Sequence, residues 1–271
     1  MNRKYLYPIL IIIVTIALYY GDKYADKQTE EYPTISSEGN RDTSIEFSED
    51  ILPSSTTLKI VEHVYYTLSY SENHEQAEWV AYELKKSHLS KNDFERPYFV
   101  EDRSVMSKSA DWRNYKNSGY DKGHLCPAGD RRFTYDAFHE TFLTSNISPQ
   151  NHEFNAGIWN RLEQKTRFWA EKFDGVYVIT GGVLSDNLKS IGEENVSVPE
   201  YFYKIIVDKS RGTYKTIAFL LPNKSSNKSF YDYVVSIDKI EEKTGIDFFP
   251  KLSKEAQKKI EKTINIDNFK H

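Results

Sequence analysis

The run Ser118-Gly119-Tyr120-Asp121-Lys122-Gly123-His124-Leu125-Cys126-Pro127-Ala128-Gly129-Asp130 gathers one histidine, two carboxylates, a lysine, three glycines and a proline. A histidine held in such a segment can act as a general base, because its unperturbed pKa lies near neutrality. Gly123 and Gly129 permit backbone geometries that other residues resist, and Pro127 stops regular structure. For a lone Gly-His pair, a surface loop with a hydrogen-bonded histidine is the ordinary reading.

A second element follows. Thr144-Ser145-Asn146-Ile147-Ser148-Pro149-Gln150-Asn151 leads into Asn155-Ala156-Gly157-Ile158-Trp159-Asn160-Arg161-Leu162-Glu163. On an ideal helix, Asn155 and Glu163 would stand about 80° apart around the axis and roughly 12 Å apart along it. They can lean to one side but cannot both touch one ion. A Mg²⁺ ion here would take one of them directly and the other through water, since Mg²⁺ keeps several waters and uses one or two protein ligands. Taken singly, Asn155 also suits a helix N-cap. Glu163 also suits a solvated helix acid, or a partner of Arg161 or Lys165.

The combination resembles the DNA/RNA non-specific endonucleases, the ββα-metal family of the endonuclease G and Serratia nuclease type. It rests on Asp121-Lys122-Gly123-His124, Ser145-Asn146-Ile147-Ser148-Pro149-Gln150, and Asn155…Trp159…Leu162-Glu163. Further blocks fall in the same order: Trp79-Val80-Ala81-Tyr82, Tyr177-Val178-Ile179-Thr180-Gly181-Gly182, Val235-Ser236-Ile237-Asp238-Lys239-Ile240-Glu241, and Thr244-Gly245-Ile246-Asp247-Phe248-Phe249. The similarity spans residues 60 to 252.

The resemblance implies a metal-dependent endonuclease that hydrolyses DNA and RNA with little sequence specificity and leaves 5′-phosphates. It implies that His124 deprotonates the attacking water, that Asn155 is the direct ligand of a hydrated Mg²⁺ (with Mn²⁺ as a substitute), and that Glu163 holds the metal's waters. An arginine before the motif would bind the scissile phosphate. Arg96 is the first candidate and Arg103 the second. Lys122 stands where the family motif has arginine, and lysine lacks the planar bidentate contact to phosphate. The family also suggests a homodimer. The sequence identifies no inhibitor protein.

Two other classes compete. One is a non-catalytic nucleic-acid-binding module that keeps the fold. The other is a zinc hydrolase, invited by His139-Glu140 and His152-Glu153. The second histidine that a zinc helix needs at i+4 is Leu143 in one case and Ala156 in the other. Cys126 reads as a small buried residue.

The elements that must position these groups are legible as patterns. Residues 64–70 and 78–84 are β-branched and aromatic, or alternate polar with apolar, and read as two strands joined by a polar turn. Residues 175–182 are nearly all apolar, as in a central buried strand. Residues 201–207 and 216–221 add two more strands. Ile158, Leu162, Phe168, Trp169 and Phe173 form an apolar stripe that predicts one long helix over 154–173. Shorter helices are expected at 136–143 and 253–264. Strands grouped with few long helices indicate α+β, a mostly antiparallel central sheet flanked by helices.

The N-terminus supplies a different signal. Arg3 and Lys4 precede sixteen uncharged residues from Tyr5 to Tyr20. That is positive-inside logic for an exported segment, shorter than the roughly 20 residues of an unstrained span. Residues 1–20 are read as an anchor, or else a cleaved signal peptide, which places the remainder outside the cytoplasm and in contact with a membrane through its N-terminus. Residues 21–57 read as an acidic tether and 58–271 as the nuclease domain.

Composition bounds the rest. The chain has 271 residues and one cysteine, so an intramolecular disulfide framework is excluded. A mean hydropathy of −0.65 excludes a polytopic membrane protein. The net charge of −4 divides into +2 before residue 21, −6 in the tether and zero beyond it. A neutral body still has room for a basic face around Arg96, Arg103, Lys122, Arg131 and Arg132.

Overall fold

Seven strands pair in the order β1-β2-β3-β6-β9-β10-β11, every neighbour antiparallel. They are β1 (Ile60–Glu62), β2 (Thr67–Ser71), β3 (Gln76–Lys85), β6 (Gly175–Gly182), β9 (Tyr201–Asp208), β10 (Lys215–Pro222) and β11 (Val234–Val235). Two small pairs stand apart: β4 (Asp121–His124) with β5 (Ile147–Gln150), and β7 (Ser190–Ile191) with β8 (Val196–Ser197). The computed structural model describes residues 49–209, 213–264 and 266–270. The N-terminal apolar run and most of the tether lie outside the described residues. Among the described residues, no helix is long and apolar enough to cross a membrane.

The long central strands alternate their side chains between two faces. One face, with Tyr82, Val178, Phe202, Ile206 and Phe219, packs on Trp159, Leu162 and Trp169. The other, with Trp79, Ile179, Ile205 and Val207, packs on Ile237, Ile240, Phe248 and Ile260. Three helices provide these covers, α2 (Asn160–Lys172), α3 (Ile237–Thr244) and α4 (Lys254–Lys262), while α1 (Tyr135–Glu140) lies elsewhere. Both faces are therefore sealed, and this is why β3, whose sequence alternates, is buried at nearly every position. A third apolar cluster, Phe99, Phe138, Phe142 and Ile147, lies beneath the β4–β5 pair.

The α+β class and the antiparallel sheet match the sequence expectation, and three details differ. The strand expected over 64–70 begins only at Thr67, after a turn from β1. The single helix expected over 154–173 is interrupted. Residues Phe154–Trp159 form a wide π-type turn kinked at Gly157 (φ −99°, ψ −106°), and regular α-helix starts at Asn160. Gly157 has no Cβ to resist that geometry, so the ideal-helix separation of Asn155 and Glu163 does not hold. The packed body also begins before residue 58. Ile51 is fully buried, and Trp79 Nε1 donates to the Ser54 carbonyl at 2.8 Å.

Candidate active site

The β4–β5 register sets Gly123 against Ser148 and His124 against Ile147. Alternation along β4 puts Lys122 and His124 on one side and Asp121 and Gly123 on the other. A Cβ on Gly123 would lie 2.2 Å from the Gln150 side chain, so only glycine allows this approach of the two strands. Asn146 fastens the open end. Its Oδ1 accepts from the Cys126 N–H at 2.8 Å, and its Nδ2 donates to the carbonyls of Cys126 and Thr141, both at 2.9 Å. Ser148 Oγ donates to Gln76 Oε1 at 2.6 Å, tying β5 to the sheet. Two side chains of the Ser145–Gln150 motif, Asn146 and Ser148, thus act as staples.

The sheet side chains meet an aromatic floor. The His124 ring lies 5.3 Å from Phe99 and 5.1 Å, edge-on, from Phe142. Arg96 sits over the same two rings at 5.7 and 5.4 Å, and Lys122 Nζ lies 5.6 Å from Phe99 and 5.7 Å from Trp112. Burial and then the Arg96 charge push the His124 pKa down to about 3, so the imidazole is neutral. Burial, with Arg96 beside it and Asp121 opposing, also lowers Lys122. His124 Nε2 is sealed from solvent without a hydrogen-bond partner.

Asp121, on the reverse side of β4, reaches towards the following turn. Its Oδ2 accepts from Asn155 Nδ2 at 2.9 Å and lies 3.0 Å from His152 Nδ1. With its NH₂ group so engaged, Asn155 is left with an amide oxygen as a hard acceptor.

Glu163 belongs to a third group. Asp130 accepts from Tyr82 Oη at 2.9 Å and from Arg167 Nη1 at 2.6 Å. Lys204, almost fully buried on β9, has no partner for its Nζ, which sits 4.6 Å over the Trp159 ring. Glu163 lies among these groups. Burial raises its pKa to about 7, Asp130 adds to the rise, and Lys204 and Arg167 oppose it.

The structure therefore brings Arg96, Lys122 and His124 together, and reaches Asn155 through Asp121. Arg103 is exposed and takes part in none of these contacts. Arg131 is not part of a basic face. It is fully buried, donates to the carbonyls of Tyr65 and Glu83, and stacks over Tyr82. His139 stacks on Tyr135 at 3.9 Å. Neither it nor His152 joins a group of metal ligands among the described residues. Asp121, Asp130, Arg167 and Lys204 were not singled out as site residues from the sequence. Asp121 and Asp130 carry a signal, lying in the His124 run, but nothing local marks Arg167 or Lys204.

The donor chemistry at Asn155 and Glu163, an amide oxygen and a carboxylate with no histidine or thiolate among the donors, fits a hard hydrated divalent cation and not zinc. The chain's lone thiol, Cys126, is buried and pushed up to about 12 by that burial, far from a ligand thiolate.

A protein-family model described as DNA/RNA non-specific endonuclease matches residues 44–255. The chain is 35% identical over 207 residues to "Nuclease EXOG, mitochondrial" of Danio rerio, a match covering 70% of this chain and 60% of that protein. It is 34% identical over 214 residues to "Nuclease C1" of Cunninghamella echinulata var. echinulata, covering 73% and 85%. Among solved structures, a chain in the crystal structure of the EndoG/EndoGI complex superposes with a TM-score of 0.67 at 29% identity, covering 73% of this chain and 88% of that one. The chain spans 60% of the length of the zebrafish relative and 56% of its human counterpart.

Proposed function

The chain belongs to the DNA/RNA non-specific endonuclease family, and from that membership we propose that it hydrolyses phosphodiester bonds of DNA and RNA with little regard to sequence, leaving 5′-phosphates. The observation that carries this reading is a neutral His124 held beside two cations, Arg96 and Lys122, on one aromatic floor.

The chemistry follows from the charges. Arg96 and Lys122 bind the non-bridging oxygens of the scissile phosphate, contacts that position a strand without reading its bases. A bound phosphate offsets the Arg96 charge that depresses His124, so basicity rises as substrate arrives. Nε2 carries the imidazole proton, because it faces away from solvent. The neutral ring then accepts a proton from water through its other nitrogen. That water attacks phosphorus in line, and the bond to the 3′ oxygen breaks. Asn155, and Glu163 through water, would hold a divalent cation, proposed as Mg²⁺ with Mn²⁺ as a substitute, which when bound would offset charge on the phosphate and the leaving oxygen.

We further place the body outside the cytoplasm, anchored or released by the apolar run after Arg3 and Lys4. A buried, inert Cys126 suits an oxidising compartment. Fractionation tests that placement. Function is tested by Mg²⁺-dependent cleavage of plasmid and single-stranded RNA, with His124→Ala as the control. A wild-type chain that binds DNA but cleaves neither substrate would sink the enzyme reading in favour of a binding module.

A further inference from the structure

On the face of the sheet opposite His124, α3 and α4 pack together with acids turned towards each other. Asp238 and Glu241 stand three residues apart on α3, and Glu261 faces them from the last turn of α4. One carboxylate oxygen from each lies within 4.8 Å of the others. Among the described residues, no lysine or arginine forms an ion pair with any of the three. The nearby cations are otherwise engaged or point outward: Lys239 pairs with Glu242, Lys243 lies over Tyr201, and Lys258 and Lys259 are exposed.

A second observation concerns Glu261 alone. The residue is 9% exposed, and its Oε1 is sealed from solvent with no hydrogen-bond donor. A buried carboxylate oxygen with no donor needs a positive partner or a proton. Glu241, by contrast, has one satisfied oxygen, accepting from the Phe248 N–H at 3.0 Å.

We propose that Asp238, Glu241 and Glu261 bind a calcium ion that clamps α4 onto α3, a site separate from the catalytic one. The donors are all oxygen, as a hard cation requires. Bonds of about 2.4 Å to Ca²⁺ span two oxygens up to about 4.8 Å apart across the ion, so three that all lie within 4.8 Å of one another need at most a small inward movement to share one. Asp238 and Glu241 are half-buried, which leaves one side open for the waters that complete six to eight ligands. Calcium tolerates such irregular shells, whereas Mg²⁺ requires near-ideal octahedra and sheds water reluctantly. Burial, together with the charges of Glu241, Asp247 and Asp238, raises the Glu261 pKa to about 7. The competing occupant is therefore a proton, and the two are separable.

The test is equilibrium Ca²⁺ binding to the full chain in excess Mg²⁺, read alongside thermal melting. One Ca²⁺ should bind per chain, with a Kd on the order of 10⁻⁴ M. Glu261→Gln and Asp238→Asn should each weaken it by about tenfold or more, while Asn155→Ala leaves it intact. Ca²⁺ should raise the melting temperature of the wild type and not of Glu261→Gln. Glu261→Gln is isosteric and removes like-charge repulsion, so without Ca²⁺ it should melt above the wild type, which confirms that it folds. Absence of saturable Ca²⁺ binding would overturn the proposal in favour of a proton on Glu261. So would binding that survives both carboxylate variants, or that disappears with Asn155→Ala.

Discussion

His124 and His63 occupy pockets of opposite character. His124 faces the cations Arg96 and Lys122 over aromatic rings and is held neutral, its pKa near 3. His63 lies with Nε2 2.8 Å from Asp102 and Nδ1 3.9 Å from Glu140. Burial alone would lower its pKa, but the Asp102 hydrogen bond and both carboxylate charges hold it above the ordinary value. Asp102 also accepts from Ser145 Oγ at 2.5 Å, and Glu140 from the Val64 and Tyr65 N–H groups. Burial is common to both rings. The sign of the neighbouring charge decides which ring is pushed further down and which is held up.

The sharpest way to break this contrast is at His124. His124→Ala should reduce cleavage by about 10³-fold, within the range for loss of a general base, with an unchanged melting temperature. Activity kinetics and a melt read both. At His63 the prediction reverses. His63→Gln should leave turnover nearly intact but cost on the order of 3 kcal/mol, because it strands buried carboxylates. The sign follows from a raised pKa. The stabilisation is complete below the unfolded value near 6.5 and is lost as pH rises through the folded value. The deficit measured by denaturant unfolding should therefore be larger at pH 6 than at pH 9.

Arg96→Ala should lower kcat/KM by about 10²-fold, as expected for losing one charge-stabilising donor, whereas Arg103→Ala should change it by less than about threefold. Equal effects would reassign the phosphate contact. Lys204→Met should raise the Glu163 pKa, since a cation that favours the carboxylate is gone. The acid limb of the pH–rate profile then moves upward, so the variant loses rate against the wild type on that limb and matches it above neutral pH. Lys122→Arg is the smallest expected change, within about threefold, because Phe99 and Trp112 accept either cation over their faces.

The candidate site was legible because its residues fall in short runs whose types are unusual together. Gly123, His124 and Asn155 come from such segments. The central strands 175–182, 201–207 and 216–221 were legible because burial on both faces leaves apolar runs. The kink at Gly157 was not. Regular helix resumes at Asn160, and one glycine inside a helical pattern does not announce a π-type turn. The start of the body was misplaced for a related reason. Ile51 and Ser54 sit in an acidic, serine-rich stretch whose composition hides two buried contacts.

The sequence alone indicated the fold class, through its strand and helix patterns, and the family, through residue types at short, fixed spacings, and it nominated His124, Asn155 and Glu163 as candidates. Tertiary structure decided what surrounds them. Arg96 meets His124 across the Phe99 and Phe142 rings, Arg131 retreats into the core, and Lys204 reaches the Glu163 surroundings from a strand about forty residues away. It also separated two glutamates with a shared pKa near 7, Glu163 among compensating cations and Glu261 among acids only. Charge acts through space, and distances between residues far apart in the chain exist only once the sheet has closed around them.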